Sequence, residues 1–250
     1  MKKVLLTGVL ALAGLGTANA VEVYLQPEYT TWKEYIGGTQ VVKESGMVYR
    51  LGLKGTVFNY KGIQLTGDGN FRLGSINYDG HTWGGAPVKT DTVYIGMELR
   101  TLLQKEIAIN NQFSITGGTG IGYDLWNRKI KSTDNAIGYL EIWEQFYLPV
   151  RVEAKYKVNQ DLSLKAGGEY RFNLKTTNKV DDFDVKVKPK SGTYFTIDAG
   201  VEYKRFDLTA FYRYDKWKQS DAEYSPVLNT NVLQPESKRE LIGVSLGYKF

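Results

Sequence analysis

Residues Leu162–Lys175 read LSLKAGGEYRFNLK, and apolar and polar side chains alternate one by one through the whole stretch. This period of two is the pattern of a β-strand that has one apolar and one polar face. Fourteen residues at roughly 3.3 Å each make a strand about 46 Å long. Strands of soluble β-sandwiches are usually about half that length. The stretch therefore favours a strand that crosses a membrane at a tilt.

The same alternation recurs along the chain and predicts about ten strands. They are Val21–Trp32, Met47–Phe58, Ile63–Gly74, Thr92–Leu103, Gln112–Trp126, Gln145–Tyr156, Leu162–Lys175, Tyr194–Tyr203, Phe206–Trp217 and Leu241–Phe250. Short connections such as Lys204–Arg205 alternate with long ones such as Ile36–Gly46, as in transmembrane barrels. The sequence thus predicts an all-β fold, an antiparallel up-and-down barrel. Twelve strands are the alternative, because Val21–Tyr35 and Tyr139–Lys157 could each hide a turn.

The first twenty residues have the pattern of an export signal. Lys2-Lys3 precedes an apolar stretch, and Ala18-Asn19-Ala20 is a small-x-small cleavage site. The apolar stretch is too short to span a bilayer. We therefore predict a cleaved signal at residues 1–20 and a barrel at residues 21–250. Loss of the two lysines would lower the formal charge from +5 to +3.

Composition excludes several classes of protein. The mean hydropathy of −0.34 excludes a helical membrane protein, but a barrel needs lipid-facing residues only at every second position. There is no cysteine and one histidine, so Cys-His catalysis and Cys/His zinc sites are excluded. The 32 basic and 27 acidic residues form no nucleic-acid-binding motif. We predict no cofactor, no metal and no nucleic-acid partner.

The closing strand resembles that of bacterial outer-membrane proteins. Glu240–Phe250 alternates apolar residues and ends in an aromatic residue, with Tyr248 and Phe250 in the matching places. In that class the strand is the signal read by the barrel assembly machinery. The resemblance implies a monomer in the outer membrane of a Gram-negative cell, in contact with membrane lipid and lipopolysaccharide.

A narrower resemblance is to the monomeric porins specific for oligogalacturonate. It is carried by chain length, the closing strand and the Tyr/Arg-rich segments Tyr170-Arg171 and Tyr212-Arg213-Tyr214. Porins of that type have twelve strands and basic tracks in the lumen. The resemblance implies transport of small anionic solutes or acidic oligosaccharides.

Charged residues of both signs fall on the predicted inward faces. A candidate anion track is formed by Arg50, Arg72, Arg100, Arg151, Arg171 and Arg213. The guanidinium fork suits anion binding. Acidic residues share those faces, and unpaired buried charges are costly, so the alternative is a lumen closed by ion pairs. A non-enzymatic narrow channel is the first hypothesis, and a sealed structural or adhesive barrel that acts through its loops is the second.

Three further patterns lead to weaker hypotheses. Asp79-Gly80-His81 matches part of the motif of omptins, which are outer-membrane proteases, so an enzyme is the third hypothesis. The segments Lys179–Lys190 and Arg128–Lys131 are predicted as basic outer loops, either solvated or in contact with lipopolysaccharide phosphates. Aromatic residues near the strand ends predict an interfacial girdle. They are Tyr29, Trp32, Tyr35, Tyr123, Trp126, Tyr139, Trp143, Tyr147, Tyr212, Tyr214 and Trp217.

Overall fold

A computed structural model describes residues 21–82 and 85–250, so the predicted signal at residues 1–20 lies outside the described part. The strands are β1 (Val21–Ile36), β2 (Thr39–Tyr60), β3 (Ile63–His81), β4 (Pro87–Ala108), β5 (Phe113–Ile130), β6 (Leu140–Lys157), β7 (Leu162–Val180), β8 (Val185–Val187), β9 (Lys190–Tyr203), β10 (Phe206–Lys218), β11 (Glu223–Ser225), β12 (Thr230–Val232) and β13 (Glu236–Lys249). One 3₁₀ turn, Asp181–Phe183, precedes β8.

Ten of these strands form a closed antiparallel barrel. Each strand from β1 to β7 pairs with the next, β7 pairs with β9, β9 with β10 and β10 with β13. The pairing of β1 with β13 closes the ring. Strand β8 adds to β7 outside the ring, and β11 and β12 form a small hairpin in the last long connection. The predicted ten-stranded up-and-down barrel is confirmed, and the twelve-stranded alternative is wrong.

The two ends of the barrel differ. We call the end that holds Val21, Phe250 and the turns between β2–β3, β4–β5, β6–β7 and β9–β10 the terminal end. The opposite end, with the connections β1–β2, β3–β4, β5–β6, β7–β9 and β10–β13, is the loop end. Among the described residues, no helix has both the length and the apolar character needed to cross a membrane.

The strands run further toward the loop end than the sequence predicts. The segment Ile36–Gly46, predicted as a long loop, is a hairpin in which β1 and β2 continue to a turn at Gly37-Gly38. Both glycines have positive φ, +58° and +84°, which suits a tight hairpin turn. The prediction failed because strands outside the hydrocarbon carry polar residues on both faces while the backbone ladder continues.

The outer face carries an apolar belt. Large apolar side chains such as Leu51, Phe71, Phe172 and Ile242 are each more than half exposed. They share their strand faces with aromatic residues at both ends of the belt, such as Tyr29 toward the loop end. A closed barrel with such a belt satisfies its backbone hydrogen bonds internally and presents apolar atoms to lipid.

The belt and the lumen should respond differently to an added charge. Leu164 lies on the outer face of β7, opposite Tyr156 and Val201. Leu164→Arg is expected to lower the free energy of unfolding by about 2–4 kcal/mol, because it places a charge in hydrocarbon. Ser163 points into the lumen opposite Glu202. Ser163→Arg should therefore lower the free energy of unfolding clearly less than Leu164→Arg. Denaturant titration in lipid vesicles measures both, and equal costs would contradict this register.

Candidate functional site

The candidate site is the lumen. It opens to solvent at the terminal end, and the opening extends to the middle of the barrel. There the inner walls enclose a cavity of about 560 Å³. Its mouth is lined by charged residues on different strands, including Lys54, Lys155, Lys165, Glu22, Glu202 and Asp207. Tyr24 lies against the wall over Gly52, where an added Cβ would come within 2.2 Å of the ring. We call this cavity the vestibule.

Charges in the vestibule are paired along its wall, within one strand or between strands that have one strand between them. The Arg151 guanidinium contacts Asp198 at 2.7 Å and Glu153 at 2.8 Å. Lys155 Nζ lies 2.5 Å from Glu202, and Lys165 pairs with Asp207. A charged solute that entered would have to displace these partners. The vestibule is therefore polar but close to electrically neutral.

Above the vestibule, arginines and carboxylates fill the cross-section. Glu98 receives ion pairs from Arg171 at 2.7 Å, Arg50 at 2.9 Å and Arg213 at 3.3 Å. The phenolic hydroxyl of Tyr147 donates a 2.6 Å hydrogen bond to the same carboxylate. These groups are all buried. We call this level the ion-pair layer.

The same layer has a second cluster around Asp124, which is fully buried. Asp124 pairs with Arg72, and its Oδ2 lies 3.4 Å from Arg239 and 3.5 Å from Arg213. Asp215 also pairs with Arg239, at 2.7 Å, and with Arg213, at 2.9 Å. Among the described residues, Asp124 is the only carboxylate within ion-pair distance of Arg72.

The next level is a tryptophan layer of four indoles. Trp32, Trp126, Trp143 and Trp217 are all 0% exposed, and the contacting rings have centroids 5.2–5.8 Å apart. Tyr194 packs against Trp217 at 5.6 Å. The prediction that these four tryptophans form an interfacial girdle is wrong, because they point into the lumen. Tyr29, Tyr123 and Tyr212 do lie on the outward faces.

A second charged cluster lies on the loop-end side of the indoles. Arg128 contacts Glu44 at 2.8 Å, Glu141 at 2.8 Å and Glu34 at 3.0 Å, and all four side chains are buried. Trp32 Nε1 donates to Glu34 and Trp143 to Glu141, each at 2.8 Å. We call this group the Arg128 cluster. The prediction that Arg128 belongs to an exposed basic loop is wrong, since it lies inside β5.

Apolar side chains cover the lumen beyond the Arg128 cluster. The buried residues here include Val42, Ile76, Tyr78, Val88 and Ile130. Strand β8 adds a second apolar group in which Val185 and Val187 pack with Val180 of β7. The loop-end half of the described lumen is therefore filled by side chains.

The six arginines of the candidate track all lie inside the barrel. Each has at least one carboxylate within ion-pair distance. Arg151 and Arg100 face the vestibule and are about one-fifth exposed, whereas the other four are nearly fully buried. The structure brings the arginines together as ion pairs and leaves no continuous row of free guanidinium groups.

Sequence reasoning missed Arg239 and misplaced Arg128, Tyr147 and the four tryptophans. A signal was present in the alternation itself. Trp126 and Arg128 have the same parity on β5 as Asp124, an acidic residue that the alternation puts inward. Because strand side chains alternate strictly, that parity puts all three on the lumen face. Parity is the stricter constraint, because the enrichment of tryptophan at membrane interfaces is only a statistical tendency.

The residues of the protease hypothesis do not face the lumen. Asp79 and His81 are on the outward face of β3, in the parity of Phe71 and Leu73. The Asp79 carboxylate lies 4.0 Å from Lys89 and is largely exposed. His81 Nδ1 lies 3.5 Å from the carbonyl oxygen of Val41. This arrangement pairs the histidine with backbone and not with an aspartate.

The closing strand ends in the aromatic rim of the terminal end. Tyr248 packs against Phe206 at 5.2 Å and against Phe250 at 5.0 Å between ring centroids. The amide of Phe250 donates to the carbonyl of Val21, and its ring is 72% exposed. The ring is therefore accessible on the outer face, and its role as an assembly signal stays a prediction.

Comparison with known proteins gives a match to structures only. No protein-family model and no curated protein sequence matches the chain. The outer membrane protease OmpT from Escherichia coli matches with a TM-score of 0.57 and 12% identity, over 94% of this chain and 98% of that one. The transport unit of the autotransporter AIDA-I from Escherichia coli matches with a TM-score of 0.50 and 11% identity, over 97% of this chain and 98% of that one.

A third match, the toluene transporter TodX from Pseudomonas putida, has a TM-score of 0.41 and 9% identity, over 97% of this chain and 91% of that one. The chain has the fold of an outer-membrane β-barrel. Its closed ring and apolar belt agree with that fold, and the protein is placed in the bacterial outer membrane. Identities this low show the fold alone, so function has to be argued from the lumen and the outer surface.

Proposed function

We propose that this protein is a non-enzymatic, monomeric outer-membrane barrel that does not conduct solutes and that acts through its outer surface and its loop end. The observation that carries the proposal is the tryptophan layer. Four mutually packed indoles with no exposed area close the lumen, between two levels of buried ion pairs. Apolar constrictions block ions because water does not wet them.

The charged levels on either side support the same function. A solute on the candidate arginine track would have to break pairs such as Arg171–Glu98, both buried. Separating such a pair leaves an uncompensated buried charge, which costs several kcal/mol. Ten strands also make a narrow barrel, close to the size that side chains can fill.

A narrow anion channel is the second candidate, and the vestibule is the observation that favours it. The cavity is lined by every arginine of the track except Arg72, and Arg100 and Arg151 are each about one-fifth exposed to it. Conduction would require that the tryptophan layer and the Arg128 cluster move. In either case we propose outer-membrane lipid, lipopolysaccharide and the barrel assembly machinery as partners.

Single-channel recording in a planar bilayer tests the proposal. Refolded protein spanning Val21–Phe250 is expected to give no discrete conductance steps, because the lumen is closed by side chains. Heat-dependent gel mobility of the same sample shows that it is folded, and a general porin in the same bilayer shows that insertion is detected. Anion-selective steps that an acidic oligosaccharide blocks would overturn the proposal in favour of the arginine track.

A further inference from the structure

Four lysines form a row across four neighbouring strands on the outer face. In the sheet register Lys216 of β10 lies opposite Lys238 of β13, Lys238 opposite Lys33 of β1, and Lys33 opposite Lys43 of β2. All four belong to the outward-facing parity of their strands. We call these residues the lysine row. It spans about 14 Å, since adjacent strands are about 4.8 Å apart.

A row of like charges is unfavourable for the barrel alone. Side chains directly opposite on neighbouring strands have Cβ atoms about 5 Å apart, and like charges there destabilise the pairing. Three successive lysine pairs repeat that arrangement. Such a row is compatible with a stable barrel when an anion outside the protein lies against it.

Neighbouring carboxylates neutralise only part of the row. Lys33 lies 3.5 Å from Glu240, and Glu236 contacts Lys216 at 3.0 Å and Lys238 at 3.4 Å. These side chains are about one-third exposed, and exposed ion pairs are weak. Lys43 is exposed and has no carboxylate within ion-pair distance among the described residues. Lys43 also lies opposite Asp79 of β3, which is 4.0 Å from Lys89. With that pair included, five lysines and three carboxylates leave a local charge of about +2.

The row lies just beyond the apolar belt, on its loop-end side. The last apolar row below it contains Met47, Tyr29 and Ile242, which are paired in register and exposed by 39%, 46% and 61%. Lys33 is four residues further along β1, about 13 Å at 3.3 Å per residue. A strand tilt of about 40° reduces this to about 10 Å of height. Lysine stems can lower their ammonium groups further toward the membrane.

We propose that the lysine row binds the phosphates of a phosphorylated glycolipid in the outer leaflet. This inference rests on the proposed function, because it names one partner of the outer surface. The row is cationic and multivalent, and a single row of side chains, Ser45, Thr31, Glu240 and Tyr214, separates it from the lipid-facing belt. A lipid whose acyl chains pack on Ile242 and Tyr29 would place its phosphates at the ammonium groups.

Binding of diphosphorylated lipid A to the refolded chain in phosphatidylcholine nanodiscs tests the inference. The test variant is K33Q/K43Q/K216Q/K238Q. The matched control changes four exposed loop-end lysines that have no carboxylate within ion-pair distance in the described structure: K129Q/K175Q/K186Q/K188Q. We expect lipid A affinity to fall at least tenfold in the test variant and less than twofold in the control, because attraction to an anionic lipid depends on nearby lysines.

Two further measurements complete the design. In phosphatidylcholine alone the test variant should resist denaturant as well as the parent protein, because the substitutions remove repulsion between the lysines. The same measurement shows that the variant folds. Dephosphorylated lipid A should bind at least tenfold more weakly than the phosphorylated form, and millimolar inorganic phosphate should not displace lipid A.

The opposite results would overturn the inference. Equal losses in both variants would mean that net charge alone attracts the lipid, and no loss would mean that the row is not the site. Displacement by inorganic phosphate would point to a free anion and not a lipid. None of these outcomes depends on conductance, so a conducting barrel that binds lipid A at the row would overturn only the proposed function.

Discussion

Asp124→Asn is expected to lower the free energy of unfolding by about 3–5 kcal/mol, because it leaves buried arginines without their carboxylate. Arg72 is 2% exposed, and Asp124 is its only ion-pair partner among the described residues. Asparagine keeps the volume of the side chain and removes its charge. Arg213 and Arg239 retain Asp215, so the loss should come mainly from Arg72. Denaturant titration in lipid vesicles measures the effect.

A double variant distinguishes the cost of breaking the Asp124–Arg72 ion pair from the cost of altered packing. The double variant Asp124→Asn with Arg72→Met removes both charges, and it should recover more than half of the lost stability, because exchange of a buried pair for apolar groups is often neutral. Asp198→Asn is the matched control. Its partner Arg151 is about one-fifth exposed and keeps Glu153, so the cost should be about 1 kcal/mol or less. Equal costs for the single and double variants would contradict this account.

Arg128→Met is expected to destabilise the loop-end half by about 3–5 kcal/mol at neutral pH, because it leaves buried carboxylates without their cation. The variant leaves Glu34, Glu44 and Glu141 buried together with no cation among them. Removal of Lys131, an exposed neighbour that pairs with Asp91 at 2.9 Å, should cost less than about 1 kcal/mol. Unfolding of both variants in lipid vesicles, followed by tryptophan fluorescence, measures the difference.

The destabilisation by Arg128→Met should depend on pH. Burial raises the pKa of the Glu34 carboxyl, and the Arg128 guanidinium opposes that rise. Without the arginine, the pKa of Glu34 in the folded variant should lie further above its value in the unfolded chain, near 4.3. The folded variant then binds more protons than the unfolded chain, so its stability rises as pH falls through the raised pKa of Glu34. The deficit relative to the parent protein should therefore be largest at pH 7 and smaller at pH 5. A deficit that does not change between the two would indicate lost packing in place of lost charge pairing.

Much of the fold was predictable because the alternation of period two is local. Residues 162–173 alone show which side chains face lipid and which face the lumen, and only a bulge in the β6–β7 pairing turns Lys175 outward against that pattern. The extra length at the loop end could not be predicted in the same way. Outside the hydrocarbon, hairpins such as Ile36–Gly46 have no lipid to select an apolar face, so the alternation is lost although the ladder continues.

The candidate site was predictable only in part. The six arginines were placed on the inward faces from parity, as the structure has them. Their partners were not predictable: Arg50 pairs with Glu98, 48 positions away, and Arg213 with Asp124, 89 positions away. These distances depend on barrel closure and strand register, which single-strand patterns do not contain.

The amino-acid sequence by itself determined the barrel class, a count of about ten strands and the two faces of most strands, because side-chain alternation follows from the geometry of one strand. Only the tertiary structure decided that arginines meet carboxylates, that four tryptophans close the lumen, and that Lys33, Lys43, Lys216 and Lys238 share one row. The physical reason is register. A shift in pairing between strands would leave the alternation of every strand unchanged and separate each of these groups.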